Sequence, residues 1–139
     1  KLIQIFKYDP QKEIALASLM TPLNDIEDLE NPNVVKVIVD LNDFALYFSR
    51  SPIPFVRENV KTSTHFKHIG VYAFRKQALI EFSKQEITPL ESVEKIECIR
   101  YLEHGKKIKM VVTHNLNFEI DTPRDLERAE AHLSQLESQ

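Results

Sequence analysis

Runs of apolar residues separated by polar breaks divide the first part of the chain into short predicted elements. Apolar, β-favouring runs at 14–19 and 34–39 predict two strands, with a turn-forming Asn-Pro-Asn segment at 31–33 between them. A third run at 45–48 follows a polar break, so it is expected to form a hairpin with the second strand. Residues 25–29 fit a helical turn.

The middle of the chain changes from loop to strand to helix. Two prolines in 51–59 remove backbone donors and exclude a regular central strand, and the polar stretch 60–65 extends this predicted loop. Residues 68–74 alternate in polarity, which is typical of a strand. Residues 76–84 follow as a predicted helix.

A second helix has a well-marked start. Thr88 stands at the cap position, Pro89 in the first turn, and Glu91 where it can reach back to the cap N–H. The helix is expected to run to Gly105. Its apolar residues recur every three positions and wind around the helix instead of following one face: Leu90, Val93, Ile96, Ile99 and Leu102.

The last part repeats the order of strand and helix. Residues 108–113 read as a strand, and Thr122 with Pro123 opens a final predicted helix. Strands therefore alternate with helices from Phe66 onward, which favours an α/β fold. We predict a mixed, mostly parallel sheet flanked by helices.

Composition excludes several classes of protein. A chain of 139 residues with 42% hydrophobic residues fits one domain. A net charge of -3 offers no broad basic face, so nucleic acid is not expected as a partner. No apolar stretch approaches the roughly 20 residues of a membrane-spanning helix, and the single Cys98 excludes an intrachain disulfide. A cytosolic protein that acts on small molecules is expected.

Two features of the sequence concern phosphate binding and the start of the chain. Only two glycines are present, Gly70 and Gly105, so no Gly-rich phosphate loop exists. Residues 1–9 carry neither an initiator Met nor the pattern of a signal peptide. We expect the chain to begin inside a longer protein.

Three groups of polar residues are candidates for chemistry. His68 and Tyr72 are four apart on a predicted strand, so alternation places both on one face, although a packed Tyr and a His bonded to a carbonyl is the alternative. Glu91 and Glu94 are neighbours on a helix and could accept hydrogen bonds from the hydroxyls of a ligand, or serve only to stabilise the helix start. Asp121 stands at a strand end, as a metal ligand or as a helix cap.

Other candidates are weaker. Arg50, in a proline-stiffened loop, could grip a carboxylate or a phosphate, or form a local ion pair or a dimer contact. The histidines show no zinc spacing with Cys98, and no Gly-x-Ser-x-Gly motif is present. Zinc enzymes and serine hydrolases therefore have little support.

Five segments taken together resemble CMP-Kdo synthetases, the cytidylyltransferases that activate 3-deoxy-manno-octulosonate (Kdo). They are NPNVVKVIVD (31–40), ALYFSRSPIP (45–54), HIGVYAFR (68–75), PLESVEKIECIRYLEHGKKIKM (89–110) and IDTPRDLERAE (120–130). The resemblance implies that 1–139 is the C-terminal, sugar-binding and dimerisation side of one nucleotide-diphospho-sugar transferase-like domain. The family's N-terminal phosphate loop and acidic metal ligand have no counterpart in these residues, so activity of this part alone is not expected.

The resemblance also implies a reaction. CTP and Kdo would give CMP-Kdo and pyrophosphate, for lipopolysaccharide biosynthesis, in a cytoplasmic homodimer. Mg²⁺ would be held partly by Asp121, which would act as the catalytic metal ligand and offset the like charge of two anionic reactants. His68 and Tyr72 would contact the sugar by donating hydrogen bonds.

The helix that begins at Pro89 would face the sugar. Glu91, Ser92 and Glu94 would then contact the substrate together with Arg50. Ser92 and Cys98 stand where Gln is common in the family, so a second hypothesis is that an amino-Kdo or another 2-keto-3-deoxy acid is the substrate. A third is a structural or dimer-forming fragment without activity.

Overall fold

The described part of the chain, in a computed structural model, covers residues 2–23, 25–57 and 65–114, with 126, 127, 130, 133 and 134. Five helices are present in it: α1 Leu2–Lys7, α2 Ile26–Glu30, α3 Lys76–Phe82, α4 Pro89–Glu94 and α5 Cys98–Glu103. Five strands accompany them: β1 Leu16–Leu23, β2 Lys36–Val39, β3 Ala45–Ser49, β4 His65–Phe74 and β5 Ile108–Val112. The start of the last predicted helix, at Thr122, lies outside these residues.

The strands form one mixed sheet in the order β3-β2-β4-β1-β5. The predicted α/β class with a mixed sheet and helices is confirmed, and so is the hairpin of β2 and β3. The expectation of a mostly parallel sheet is wrong for the described strands, because only β1 and β5 pair in parallel. The short polar turn between β2 and β3 forces an antiparallel pair, and β4 runs antiparallel to both of its neighbours.

The predicted helix from Pro89 to Gly105 is wrong as one element, since it is two short helices. Helix α4 ends at Glu94, where Lys95 has φ 56 and ψ 44 in the left-handed region. Helix α5 begins three residues later and buries Cys98, Ile99 and Tyr101. An apolar period of three drifts around a single helix, so an interruption lets α5 turn its own apolar residues inward, whereas Leu90 and Val93 of α4 stay exposed.

A hydrophobic core lies between the sheet and α5. Buried side chains from β1, β2, β3, α5, β5 and the turn before α5 form it: Leu16, Met20, Val37, Ala45, Phe48, Ile96, Cys98, Ile99, Tyr101, Ile108 and Met110. This packing fixes α5 against β3, and the Tyr101 ring of α5 also contacts Phe74 of β4, the strand that carries the candidate site. Among the residues described, no helix is long and apolar enough to cross a membrane.

Candidate functional site

A bulge in β4 brings His68 and Tyr72 together. Along β1, Ser18 pairs with Tyr72 and the next residue, Leu19, pairs with Ile69, so two residues of β4 are inserted between these pairs. The ring centroids of His68 and Tyr72 are 5.5 Å apart, whereas four residues of regular strand would separate them by about 13 Å. The insertion of two residues keeps the alternation of the strand and shortens the distance between the two side chains.

Ser18 holds this bulge from the neighbouring strand. Its side chain is fully buried, and its Oγ lies 2.9 Å from His68 Nε2. The same hydroxyl lies 3.2 Å from the carbonyl oxygen of Ile69 and 3.0 Å from that of Val71. Nothing in the sequence pointed to Ser18, because a serine within an apolar run carries no signal for a contact 50 positions away.

His68 is neutral at physiological pH. Its side chain is 5% exposed and packs edge-on against Phe48, with ring centroids 4.9 Å apart. Burial lowers the pKa of His68 to about 4, because the imidazolium would lose its hydration. The ring therefore binds as a neutral imidazole and carries no charge to a ligand.

Replacing His68 with glutamine is expected to remove a pH-dependent part of the stability. The glutamine amide can still donate to Ser18, but it does not titrate. Because the pKa of His68 is about 4 in the folded protein and 6.5 unfolded, the unfolded state binds more protons between these values. Wild-type stability should thus fall by about 3 kcal/mol as the pH drops through this window.

Urea unfolding of the intact wild-type and His68→Gln proteins at several pH values measures this difference. The wild type should lose more stability than the variant on acidification. If the free energy of unfolding depended on pH equally in the two proteins, His68 would have the same pKa in the folded and the unfolded state.

Tyr72 joins β4 to α5. Its side chain is 36% exposed, and its hydroxyl hydrogen-bonds to the thiol of Cys98. Cys98 is buried, and this burial raises the pKa of its thiol to about 12, so the sulfur stays protonated. Tyr72 therefore presents a partly open, fixed ring beside His68.

Glu91 is committed to an ion pair inside the protein. Arg100 donates from Nε to Oε2 at 2.7 Å and from Nη2 to Oε1 at 2.6 Å, and the two side chains are 13% and 7% exposed for Arg100 and Glu91. The hydrogen bonds from Arg100 lower the pKa of Glu91. Thr88 N–H also donates to Glu91 at 3.5 Å, in agreement with the predicted helix start.

Glu94 and Arg50 form a second cluster where β3 ends. The Glu94 carboxylate accepts from Ser49 Oγ at 2.8 Å and from Arg50 N–H at 2.9 Å. The Arg50 guanidinium donates to the carbonyl oxygens of Glu94 at 2.7 Å, Pro32 at 2.8 Å and Lys95 at 3.4 Å. These contacts join the end of β3 to the segment at Pro32 and to the end of α4.

Lys36 lies at the centre of this second cluster and was missed in the sequence. It is fully buried, and its Nζ donates to the carbonyl oxygens of Asn31 at 3.0 Å, Val34 at 2.7 Å, and Arg50. Burial lowers the pKa of Lys36, although the nearby Glu94 carboxylate opposes this effect. A lysine in a β-favouring run gives no sign that its ammonium is enclosed.

A row of contacting aromatic side chains connects two pairs of predicted site residues. Tyr72 contacts Phe74 at 6.3 Å between ring centroids, and Phe74 contacts Phe82 at 5.5 Å. The Arg100 guanidinium lies over the Phe82 ring at 5.0 Å, so the row leads from the His68–Tyr72 pair to the Glu91–Arg100 pair.

Two predicted site residues, Ser92 and Asp121, remain to be placed. Ser92 is exposed on α4, and Asp121 lies outside the described residues. Within the described ranges, no three His, Cys, Asp or Glu side chains are grouped so that they could hold a metal ion. The roles given to Asp121 and to the other site residues therefore stay predictions.

Comparison with known proteins decides the family. A family described as Cytidylyltransferase matches residues 2–108. The chain belongs to the cytidylyltransferase family. A solved structure of CMP:2-keto-3-deoxy-manno-octonic acid synthetase, in complex with CTP, resembles this chain with a TM-score of 0.83 and 33% identity. The similarity covers 96% of this chain and 54% of that one.

Curated relatives extend the similarity. A 3-deoxy-manno-octulosonate cytidylyltransferase of Christiangramia forsetii is 56% identical over 134 residues, and one of Flavobacterium johnsoniae is 53% identical over 133. Each match covers 96% of this chain and 54% of the relative, so the chain spans about half the length of those proteins. The resemblance to CMP-Kdo synthetases is confirmed.

Proposed function

We propose that the intact protein containing this chain transfers the cytidylyl group of CTP to Kdo and gives CMP-Kdo and pyrophosphate. The observation that carries this proposal is the 56% identity, over 96% of the chain, to a protein named 3-deoxy-manno-octulosonate cytidylyltransferase. The neighbouring structure named for the same sugar supports it, because it holds CTP. The described residues contribute the His68–Tyr72 pair as the contact surface for the sugar.

The chemistry of this reaction is a displacement at phosphorus. The anomeric hydroxyl oxygen of the sugar acid attacks the α-phosphorus of CTP, the bond to the bridging oxygen of pyrophosphate breaks, and the hydroxyl proton is lost. Such a reaction depends mainly on positioning two anionic reactants. A buried, neutral His68 suits this task, since it can position a ligand without changing its charge at physiological pH.

We propose that Tyr72 and His68 orient the sugar, with the helix that begins at Pro89 beside them. Tyr72 combines a partly open ring with a hydroxyl that already contacts Cys98. Ser92 is exposed on that helix and remains a proposed sugar contact. For Arg50, Glu91 and Glu94, existing contacts favour an indirect role in substrate binding, because their polar atoms already hold the protein together.

Three further properties are part of the proposal. The intact protein would use Mg²⁺, with Asp121 as a ligand, to neutralise charge between the reactants. It would work in the cytoplasm, in lipopolysaccharide biosynthesis. It would be a homodimer, and the exposed apolar side chains of Ile87, Leu90 and Val93 support a contact surface on or beside α4.

An assay of the intact protein with CTP, Kdo and Mg²⁺ is expected to show CMP-Kdo and pyrophosphate in equal amounts, and none after chelation of the metal. Replacing Tyr72 with phenylalanine should raise KM for Kdo by about tenfold with little change in KM for CTP, since one hydrogen bond to the sugar is lost. Ser83→Ala, on an exposed hydroxyl at the end of α3, serves as the control.

Two outcomes would contradict this assignment. No product with any Kdo concentration would rule out the reaction. Faster turnover of an amino-Kdo in a competition assay would favour the alternative substrate, for which the exposed Ser92 on the sugar-facing helix is the supporting observation.

A further inference from the structure

The hydroxyl of Ser18 has more neighbours than it has protons. Its Oγ lies within hydrogen-bond distance of a ring nitrogen of His68 and of two carbonyl oxygens, those of Ile69 and Val71. A carbonyl oxygen only accepts, and a serine hydroxyl has a single proton to donate. Both carbonyls belong to the bulge that brings Tyr72 to His68.

Counting protons gives the direction of each bond. If Ser18 donated to His68 Nε2, its oxygen would face the carbonyl of Val71 at 3.0 Å with no proton between the two oxygens. If Ser18 donates to the bulge instead, its oxygen is free to accept from Nε2–H at 2.9 Å. The second arrangement gives a partner both to His68 Nε2 and to the nearer carbonyl oxygen, that of Val71, whereas the first gives neither carbonyl a proton from Ser18. Burial favours the second because an unpaired polar atom in the interior is costly.

We propose that Ser18 is a positioning residue that fixes His68 as the Nε2–H tautomer and holds the β4 bulge that brings Tyr72 beside it. In this tautomer Nδ1 has a lone pair and no proton. His68 thus offers a ligand only an acceptor. A carboxylate cannot use it, whereas the hydroxyl of a polyol can donate to it.

This inference rests on the proposed function for the nature of the ligand, and it changes what the family resemblance implied. There, His68 was expected to donate a hydrogen bond to the sugar. With Nε2–H committed to Ser18, His68 selects a sugar hydroxyl, and the sugar carboxylate must be bound elsewhere. Tyr72, whose hydroxyl hydrogen-bonds to the Cys98 thiol, keeps the role in orienting the sugar that is proposed above.

The first test is the tautomer of His68 itself. Nitrogen-15 NMR of the intact protein, with ring nitrogens labelled, distinguishes a protonated from an unprotonated ring nitrogen. We expect Nε2 protonated and Nδ1 unprotonated in the wild type, and a mixture of tautomers in Ser18→Ala. A wild-type His68 protonated on Nδ1, or an unchanged tautomer in the variant, would overturn the proposal.

The second test separates positioning from a merely structural role. Ser18→Ala should raise KM for Kdo by about tenfold and leave KM for CTP and kcat within about twofold. Thr113→Val removes another buried hydroxyl, at the end of β5, and should leave both KM values unchanged. Ser18→Cys, which keeps a group able to accept and donate, should recover part of the loss and replaces the alanine variant if that one fails to fold.

The two tests fail independently. If the intact protein made no CMP-Kdo, the proposed function would fall while the NMR experiment still decided the role of Ser18. If the reaction occurred but Ser18→Ala changed neither the tautomer nor KM for Kdo, Ser18 would have no positioning role.

Discussion

Replacing Arg100 with methionine is expected to destabilise the intact protein by about 3 kcal/mol at neutral pH. The substitution leaves the Glu91 carboxylate buried without the two bonds it now accepts. The methionine keeps much of the aliphatic packing on Phe82, so the loss measures the ion pair more than the volume. Urea unfolding at neutral pH measures it.

The pH dependence of this loss identifies its cause. In the wild type, the hydrogen bonds from Arg100 lower the pKa of Glu91, so their stabilisation is present above pH 4.5 and is lost as the pH falls through the folded pKa. Without Arg100, burial raises that pKa and Glu91 becomes neutral more easily. The difference between wild type and variant should therefore shrink in acid.

A matched exposed pair provides the control. Lys106 donates to Glu81 at 2.7 Å, but these side chains are 34% and 48% exposed. Lys106→Met should cost far less, because water screens the pair and solvates the remaining carboxylate. Equal losses in the two variants would show that burial of the Glu91–Arg100 pair is not what makes it important.

Replacing Lys36 with methionine is expected to cost about 3 kcal/mol as well, for a different reason. Its ammonium donates all three protons to carbonyl oxygens, those of Asn31, Val34 and Arg50. Methionine fills a similar volume and donates nothing, so three carbonyl oxygens lose the bond from Nζ, of which that of Asn31 keeps its bond from Val34 N–H. The same loss should loosen the Arg50 segment, which amide hydrogen exchange of the intact protein can measure.

Lys109→Met is the control for Lys36. Lys109 also donates to a carbonyl oxygen, that of Asn42, but it lies at the surface where water can replace it. We expect a small change in stability and unchanged exchange near Arg50. Faster exchange in both variants, or in neither, would contradict the role given to Lys36.

The sequence predicted the starts of β3, α3, α4 and β5 correctly, because the signals are local. Pro89 opens α4 as its capping pattern indicates, and the hairpin of β2 and β3 follows from two apolar runs and a polar turn. The end of α4 was not predictable in the same way. Arg50 donates to the carbonyl oxygens of Glu94 and Lys95, so a residue more than 40 positions away stabilises the break.

In the candidate site, too, local sequence signals predicted some features, and contacts between distant residues decided the others. Alternation placed His68 and Tyr72 on one face, and this holds because the bulge adds an even number of residues. Neither Ser18 nor Cys98, which hold the two rings in place, carries a local signal. The sequence also suggested Arg50 and Glu91 as direct ligand contacts, while their nearest partners are atoms of the protein itself.

By itself, the sequence determined the α/β class, the family resemblance and the chemical types available for a sugar site, because periodicity, capping and motif order are properties of neighbouring residues. Only the tertiary structure decided which of those side chains remain available and which are enclosed. That outcome depends on pairings between distant residues, such as Ser18 with His68 and Lys36 with Arg50, whose strength comes from burial away from water.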